Sequence, residues 1–153
     1  MENRMVLTDN LWRGLKPGQS SQAELLAVLG PPEAQHANVA YGSLQGLERL
    51  DYGAQGGSAY LHAERLLLLA LAPTRANGLQ VAMEPWRQAL GRPENSHMLA
   101  SRMAKNARIV LHSSRGLALH VLAERVRLVE LFPALTEAQY LERLYAQPPV
   151  FTK

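Results

Sequence analysis

Two short blocks of this chain each occur twice, in the same order and at almost the same separation. Leu29-Gly30-Pro31-Pro32-Glu33 returns as Leu90-Gly91-Arg92-Pro93-Glu94, 61 residues on, and Ala63-Glu64-Arg65 returns as Ala123-Glu124-Arg125, 60 residues on. A one-residue insertion or deletion reconciles the two offsets. Each Ala-Glu-Arg leads into an apolar run that proline closes, at Pro73 and at Pro133. Either block alone could arise by chance, but the ordered pair points to a duplication. The pattern therefore predicts one domain, residues 1–153, made of units 15–76 and 77–133 and a C-terminal helix over 136–146.

Each unit opens on a short helix whose limits are written locally. Ser21 can cap the first, with Glu24 three residues later completing a capping box and Leu25, Leu26, Val28 and Leu29 forming an apolar face. Gly30 suits the position just past its end, and Pro31-Pro32 cannot continue it. In the second unit Pro85 fits a first helical turn, Trp86, Ala89 and Leu90 are apolar, and Gly91 with Pro93 repeats the stop. Stretches 34–46 and 95–106 carry no clear signal.

Strand signals follow at 47–52, 58–62 and 65–71 in the first unit, and at 107–112, 117–122 and 125–132 in the second. The first two strands of each unit are joined by turns at Gly53–Gly57 and Ser113–Gly116, and Asn77-Gly78 is the joint between units. Leu66 to Leu69 lacks alternation, as a strand covered on both faces does. Thr136 with Gln139 repeats the capping box ahead of a stripe of Ala138, Leu141, Leu144 and Tyr145. The expected fold is thus α+β: two tandem helix-plus-three-strand units whose antiparallel sheet is packed on one face by short helices.

With 153 residues and 47% of them hydrophobic, such a chain buries enough surface to need no metal or disulfide staple. Cysteine is absent, which excludes disulfides, thiolate zinc sites and cysteine nucleophiles. Charges interrupt the opening Met1 to Asp9, and the longest apolar run, Leu66 to Ala72, is far shorter than the roughly 20 residues a membrane helix needs. The reading is a chain without membrane insertion in the cytoplasm, or an exported one whose signal has been removed.

Net charge is +3, and the excess lies in the second half, where residues 77–153 hold ten Lys/Arg against six Asp/Glu. Arg102, Lys105, Arg108, Arg115, Arg125 and Arg127 face only Glu124 in that stretch, which could attract nucleic acid.

The segment Leu15-Lys-Pro-Gly18-Gln-Ser-Ser21-Gln-Ala-Glu24-Leu-Leu-Ala-Val-Leu29-Gly30-Pro31-Pro32 resembles the opening of the SmpA/OmlA outer-membrane lipoproteins. Two such units in tandem resemble the β-lactamase-inhibitory-protein-like fold. The resemblance implies helices packed on one face of a concave antiparallel sheet that binds other proteins rather than catalysing a reaction. Gln19 departs from the hydrophobic residue usual there, the second unit lacks the glycine before its helix, and there is no lipobox cysteine.

No catalytic or metal-binding motif stands out, and no cofactor is implied. His36, His62, His97, His112 and His120 show no ligand spacing, and Gly53–Gly57 lacks the lysine and following helix of a phosphate loop. The repeat offset pairs Tyr52 and Tyr60 with His112 and His120. If the connecting loops have odd length, alternation places these four on one face of the sheet, a surface for a protein partner with Arg108 and Arg115 at its rim. The competing reading packs Tyr52 and Tyr60 under the helices with Leu50.

Overall fold

The structure, a computed structural model, describes residues 4–148. Helix α1 (Gln22–Leu29) is followed by strands β1 (Ala34–Tyr41), β2 (Leu44–Tyr52), β3 (Gly57–His62) and β4 (Arg65–Leu71). Then come α2 (Met83–Leu90), β5 (Leu99–Ala100), β6 (Arg108–His112), β7 (Leu117–Leu122), β8 (Arg125–Leu131) and α3 (Glu137–Arg143). The eight strands form one open sheet in the order β1-β2-β3-β4-β8-β7-β6-β5, antiparallel at every step. Among the described residues no helix is long and apolar enough to cross a membrane.

Local chemistry explains most of the boundaries. Both expected capping boxes form: Ser21 accepts from the Glu24 N–H and Thr136 from the Gln139 N–H, with each partner side chain reaching back to the cap. Gly30 and Gly91 end α1 and α2 at φ 79° and 78°, where a side chain would be strained. Ala63-Glu64 and Ala123-Glu124 turn β3 into β4 and β7 into β8 with positive φ at all four residues. That is the twist a two-residue hairpin requires.

One expectation needs correction. Each half has four strands, not three, because the unassigned stretches supply β1, the start of β2, and β5. Strand β1 escaped sequence reading because Ala34-Gln-His-Ala-Asn-Val-Ala-Tyr41 is largely exposed and lacks an apolar alternation. The two short unit helices share one face of the sheet, as expected, and α3 lies on the other. Leu25 of α1 and Met83, Trp86 and Leu90 of α2 join Leu50, Leu61, Leu119 and Val129 in one core. Tyr140 and Leu144 of α3 lie on the opposite face with Leu47, Leu68, Ala118, Leu128 and Phe132.

That second face is concave. Strand β1 stands four positions from β8, so a flat sheet would separate them by roughly 19 Å. Yet the Tyr41 hydroxyl donates directly to Glu130 on β8. Register breaks between His36 and Val39 and between Val39 and Tyr41, with Asn38 at φ 57°, bend the end of β1 inward over the face. Gly42 then meets α3: a Cβ there would lie 2.5 Å from the Arg143 carbonyl oxygen, so only glycine allows the contact. Ser43 Oγ secures it by donating to the Glu142 carbonyl at 2.6 Å.

Candidate functional site

One row of directly opposed residues crosses the concave face: Asp51 on β2, Ser58 on β3, Ala70 on β4 and Glu130 on β8. A carboxylate stands at each end of this row, and the two ends differ in everything but that.

Glu130 is fully buried, and its charge is met from three elements. Tyr140 of α3 donates its hydroxyl at 2.6 Å, Tyr41 of β1 donates a second, and His120 of β7 lies with Nε2 at 2.8 Å. The His120 Nδ1 is 2.6 Å from Ser101 Oγ, which itself accepts the Met103 N–H at 3.0 Å. His120 thus donates an Nε2 proton to Glu130 while Nδ1 is engaged by the Ser101 hydroxyl. Arg102 lies over the Tyr41 ring, 5.1 Å from its centroid, and brings a compensating positive charge. Burial by itself disfavours the Glu130 anion, but the charge and hydrogen bond of His120 and the two tyrosine hydroxyls outweigh it and hold the carboxyl below its ordinary range. Burial, and then the neighbouring carboxylate, push the Tyr41 and Tyr140 hydroxyls well above theirs.

The order Ser101–His120–Glu130 has the connectivity of a nucleophile, a base and an orienting acid. Here, however, Ser101 is 1% exposed, His120 and Glu130 are completely buried, and the Met103 N–H is already donated to Ser101 rather than free to hold an oxyanion. The cluster instead ties three covering pieces, the β1 end, the 101–103 turn and α3, onto the strands beneath.

At the open end, Asp51 is surrounded by donors in reach of solvent. Ser58 Oγ donates to Oδ1 at 2.8 Å, Arg49 Nε to Oδ1 at 2.9 Å, and His36 Nε2 lies 3.1 Å from Oδ2. The side chains of His36, Arg49 and Asp51 remain 45%, 33% and 28% exposed. Partial burial opposes the Asp51 anion, but the Ser58 and Arg49 hydrogen bonds and the Arg49 charge prevail and lower its pKa. Tyr60, half-buried, joins the two ends: its ring meets Tyr41 edge-on at 4.8 Å.

Four residues expected to share one exposed face do not. Tyr52 pairs with Gly57 across a four-residue connection, 53–56, so Tyr60 falls on the opposite face of the sheet from Tyr52. The same register, His112 with Leu117, separates His112 from His120. Tyr52 is 5% exposed beneath α1 and donates its hydroxyl to the Gly30 carbonyl at 2.9 Å. His112 is 2% exposed on that same face, and its Nε2 has no partner. Of the four, only Tyr60 reaches the open end.

The basic stretch is dispersed. Arg102 is turned inward over Tyr41, Arg108 lies 3.4 Å from Glu124, and Arg115 lies 3.4 Å from the Thr8 carbonyl of the N-terminal segment. Among the described residues no group of three or more histidines or carboxylates is placed to hold a metal ion. The sequence signal for Glu130 was absent because its partners stand 10 or 89 residues away, and two of the three are aromatic residues ordinarily read as core. No family model, curated protein or solved structure matches this chain.

Proposed function

We propose that the chain is a non-catalytic binding module that takes a protein partner at the open end of its concave sheet face. One observation carries this reading. The covered end of the face is sealed by the chain's own α3 and 95–106 segment, whereas the end bearing His36, Arg49, Asp51, Ser58 and Tyr60 has no covering element among the described residues. Oriented polar groups beside a half-buried tyrosine are the composition of a partner-binding surface, which needs donors held in place next to a flat ring. Asp51 fixes Arg49 through Nε, and the same guanidinium engages the Tyr60 hydroxyl, so the cation and the ring are held together as one surface.

The two halves are, in this proposal, diverged copies of one unit. The shared order of helix and four strands, the matched glycine stops and the Ala-Glu reversals support it. So do the register shifts, which fall at Tyr60/Leu61 and at His120/Val121. The resemblance of residues 15–32 to the SmpA/OmlA lipoproteins belongs to the same proposal.

A photo-crosslinking residue at position 36 of the full chain, in native extract, identifies the partner, and the purified pair is then titrated. Arg49→Glu and Tyr60→Ala are expected to weaken binding by more than about 1 kcal/mol each. Unchanged binding by both variants would refute the reading. Binding to duplex DNA whose log K falls linearly with log salt would instead favour the competing proposal, a nucleic-acid role for Arg102 to Arg127.

A further inference from the structure

We propose that the cleft between the N-terminal segment and the turn preceding β7 is a binding site for a small oxyanion of the phosphomonoester class. The cleft has a volume of about 400 Å³ and lies between Asp9–Asn10 and Lys16–Gln19 on one side and Ser114–Arg115 and Pro133–Ala134 on the other.

Its walls are fixed in place. Asn10, 5% exposed, donates Nδ2 to the Phe132 carbonyl at 2.7 Å, which docks the N-terminal segment onto the end of β8. Lys16 to Ser20 form a closed turn in which the Gln19 and Ser20 N–H groups both donate to the Lys16 carbonyl and Ser20 Oγ accepts the Lys16 N–H at 2.8 Å. Gly18 ties this turn to β4 through the Leu66 carbonyl at 2.8 Å, and Arg65 donates to the Gln19 carbonyl at 2.8 Å.

The cleft holds more donors than acceptors. Lys16 makes no ion pair or side-chain hydrogen bond among the described residues, and Arg115 makes only a long contact to the Thr8 carbonyl, 3.4 Å. The Ser114 hydroxyl is already directed at Glu94, 2.7 Å away. Asp9 is the one carboxylate in the lining, and its Oδ1 accepts the Leu11 N–H at 3.1 Å. Two cations against one carboxylate leave the lining net positive, which attracts an anion. A guanidinium fork and an ammonium lining the same cleft are groups that phosphate oxygens accept well.

The first half of the molecule shows what happens where no such vacancy of charge is left. There the turn residue at the place of Arg115 is Gln55, and Arg13 occupies the space beside it, donating to Gln55 Oε1 at 2.9 Å and to the Ala76 carbonyl at 2.6 Å. Internal donors and acceptors are matched at that turn; at the second they are not. This site is independent of the partner surface, with which it shares no residue.

The test uses the full chain, uniformly labelled with ¹⁵N and titrated with inorganic phosphate and with glucose 6-phosphate against sodium chloride and sodium acetate at matched ionic strength. The expected result is saturable shifts of the Gly18, Gln19, Ser114 and Arg115 amides with both phosphates. Lys16→Ala and Arg115→Ala should each raise the Kd by about ten-fold, with the remaining spectrum showing an intact fold. Shifts that chloride reproduces, phosphate binding untouched by both variants, or equal saturation by acetate would each overturn the assignment.

Discussion

Asp51 and Glu130 stand on one row of the same sheet face, yet the fold asks opposite things of them. Asp51 keeps contact with water, and each of its donors could exchange it for solvent at little cost. Glu130 has no water to fall back on, so every hydroxyl and ring nitrogen aimed at it is part of what makes its burial tolerable. Carboxylate chemistry is constant along the row; cover is what changes. A charge under cover organises structure, and a charge left open is available for recognition.

The largest effect that would test this contrast is at the covered end. Glu130→Gln removes the anion that two tyrosines and His120 converge on and should destabilise the chain by about 3–5 kcal/mol, read from urea melts. Asp51→Asn should cost less than about 1 kcal/mol because solvent replaces its partners. Equal losses would erase the distinction between the ends. The acid limb sharpens it further. Since the Glu130 pKa is lowered on folding, its contribution is complete above the ordinary carboxylate range and disappears only as pH falls through the lower folded value. The stability gap between wild type and Glu130→Gln should therefore be flat at neutral pH and close in acid.

Next in size is the tether to α3. Tyr140→Phe keeps the ring against Phe132 but removes the hydroxyl donated to Glu130, and should cost about 1.5–3 kcal/mol. Amide hydrogen exchange should show the loss concentrated in 137–144; a uniform change over the whole chain would mean that α3 is not held by this bond.

What the sequence made legible was punctuation. Capping boxes, glycine stops and turn glycines act through neighbours in the chain, so Ser21 with Glu24, Gly30 and Thr136 with Gln139 could be read directly. Strand β1 could not, because its placement rests on pairing with β2 rather than on its own composition. The expected site failed for a countable reason: one loop of four residues instead of an odd number sends Tyr60 and Tyr52 to opposite faces. The Glu130 cluster was invisible because its members meet only when β1 curls over the sheet.

The smallest effect is the most discriminating for the equivalence of the two halves, and it concerns Tyr52 and His112, which occupy matching positions before the two turns. Both are buried on the face beneath α1 and α2, but Tyr52 completes a hydrogen bond to the Gly30 carbonyl whereas His112 leaves Nε2 unsatisfied. Burial accordingly lowers the His112 pKa, with Glu94 opposing the shift and Arg115 adding to it. Removing a made bond and removing an unmade one should differ in sign. Tyr52→Phe should cost about 1 kcal/mol, the worth of one ordinary hydrogen bond. His112→Phe should cost nothing or stabilise by up to about 1 kcal/mol, because an apolar ring has no desolvated nitrogen to leave stranded. Matched urea melts of the two variants at neutral pH would settle the point. A loss at His112 as large as at Tyr52 would mean that the imidazole makes an interaction as strong as the tyrosine hydroxyl does, and the two positions would then be equivalent in energy as well as in place.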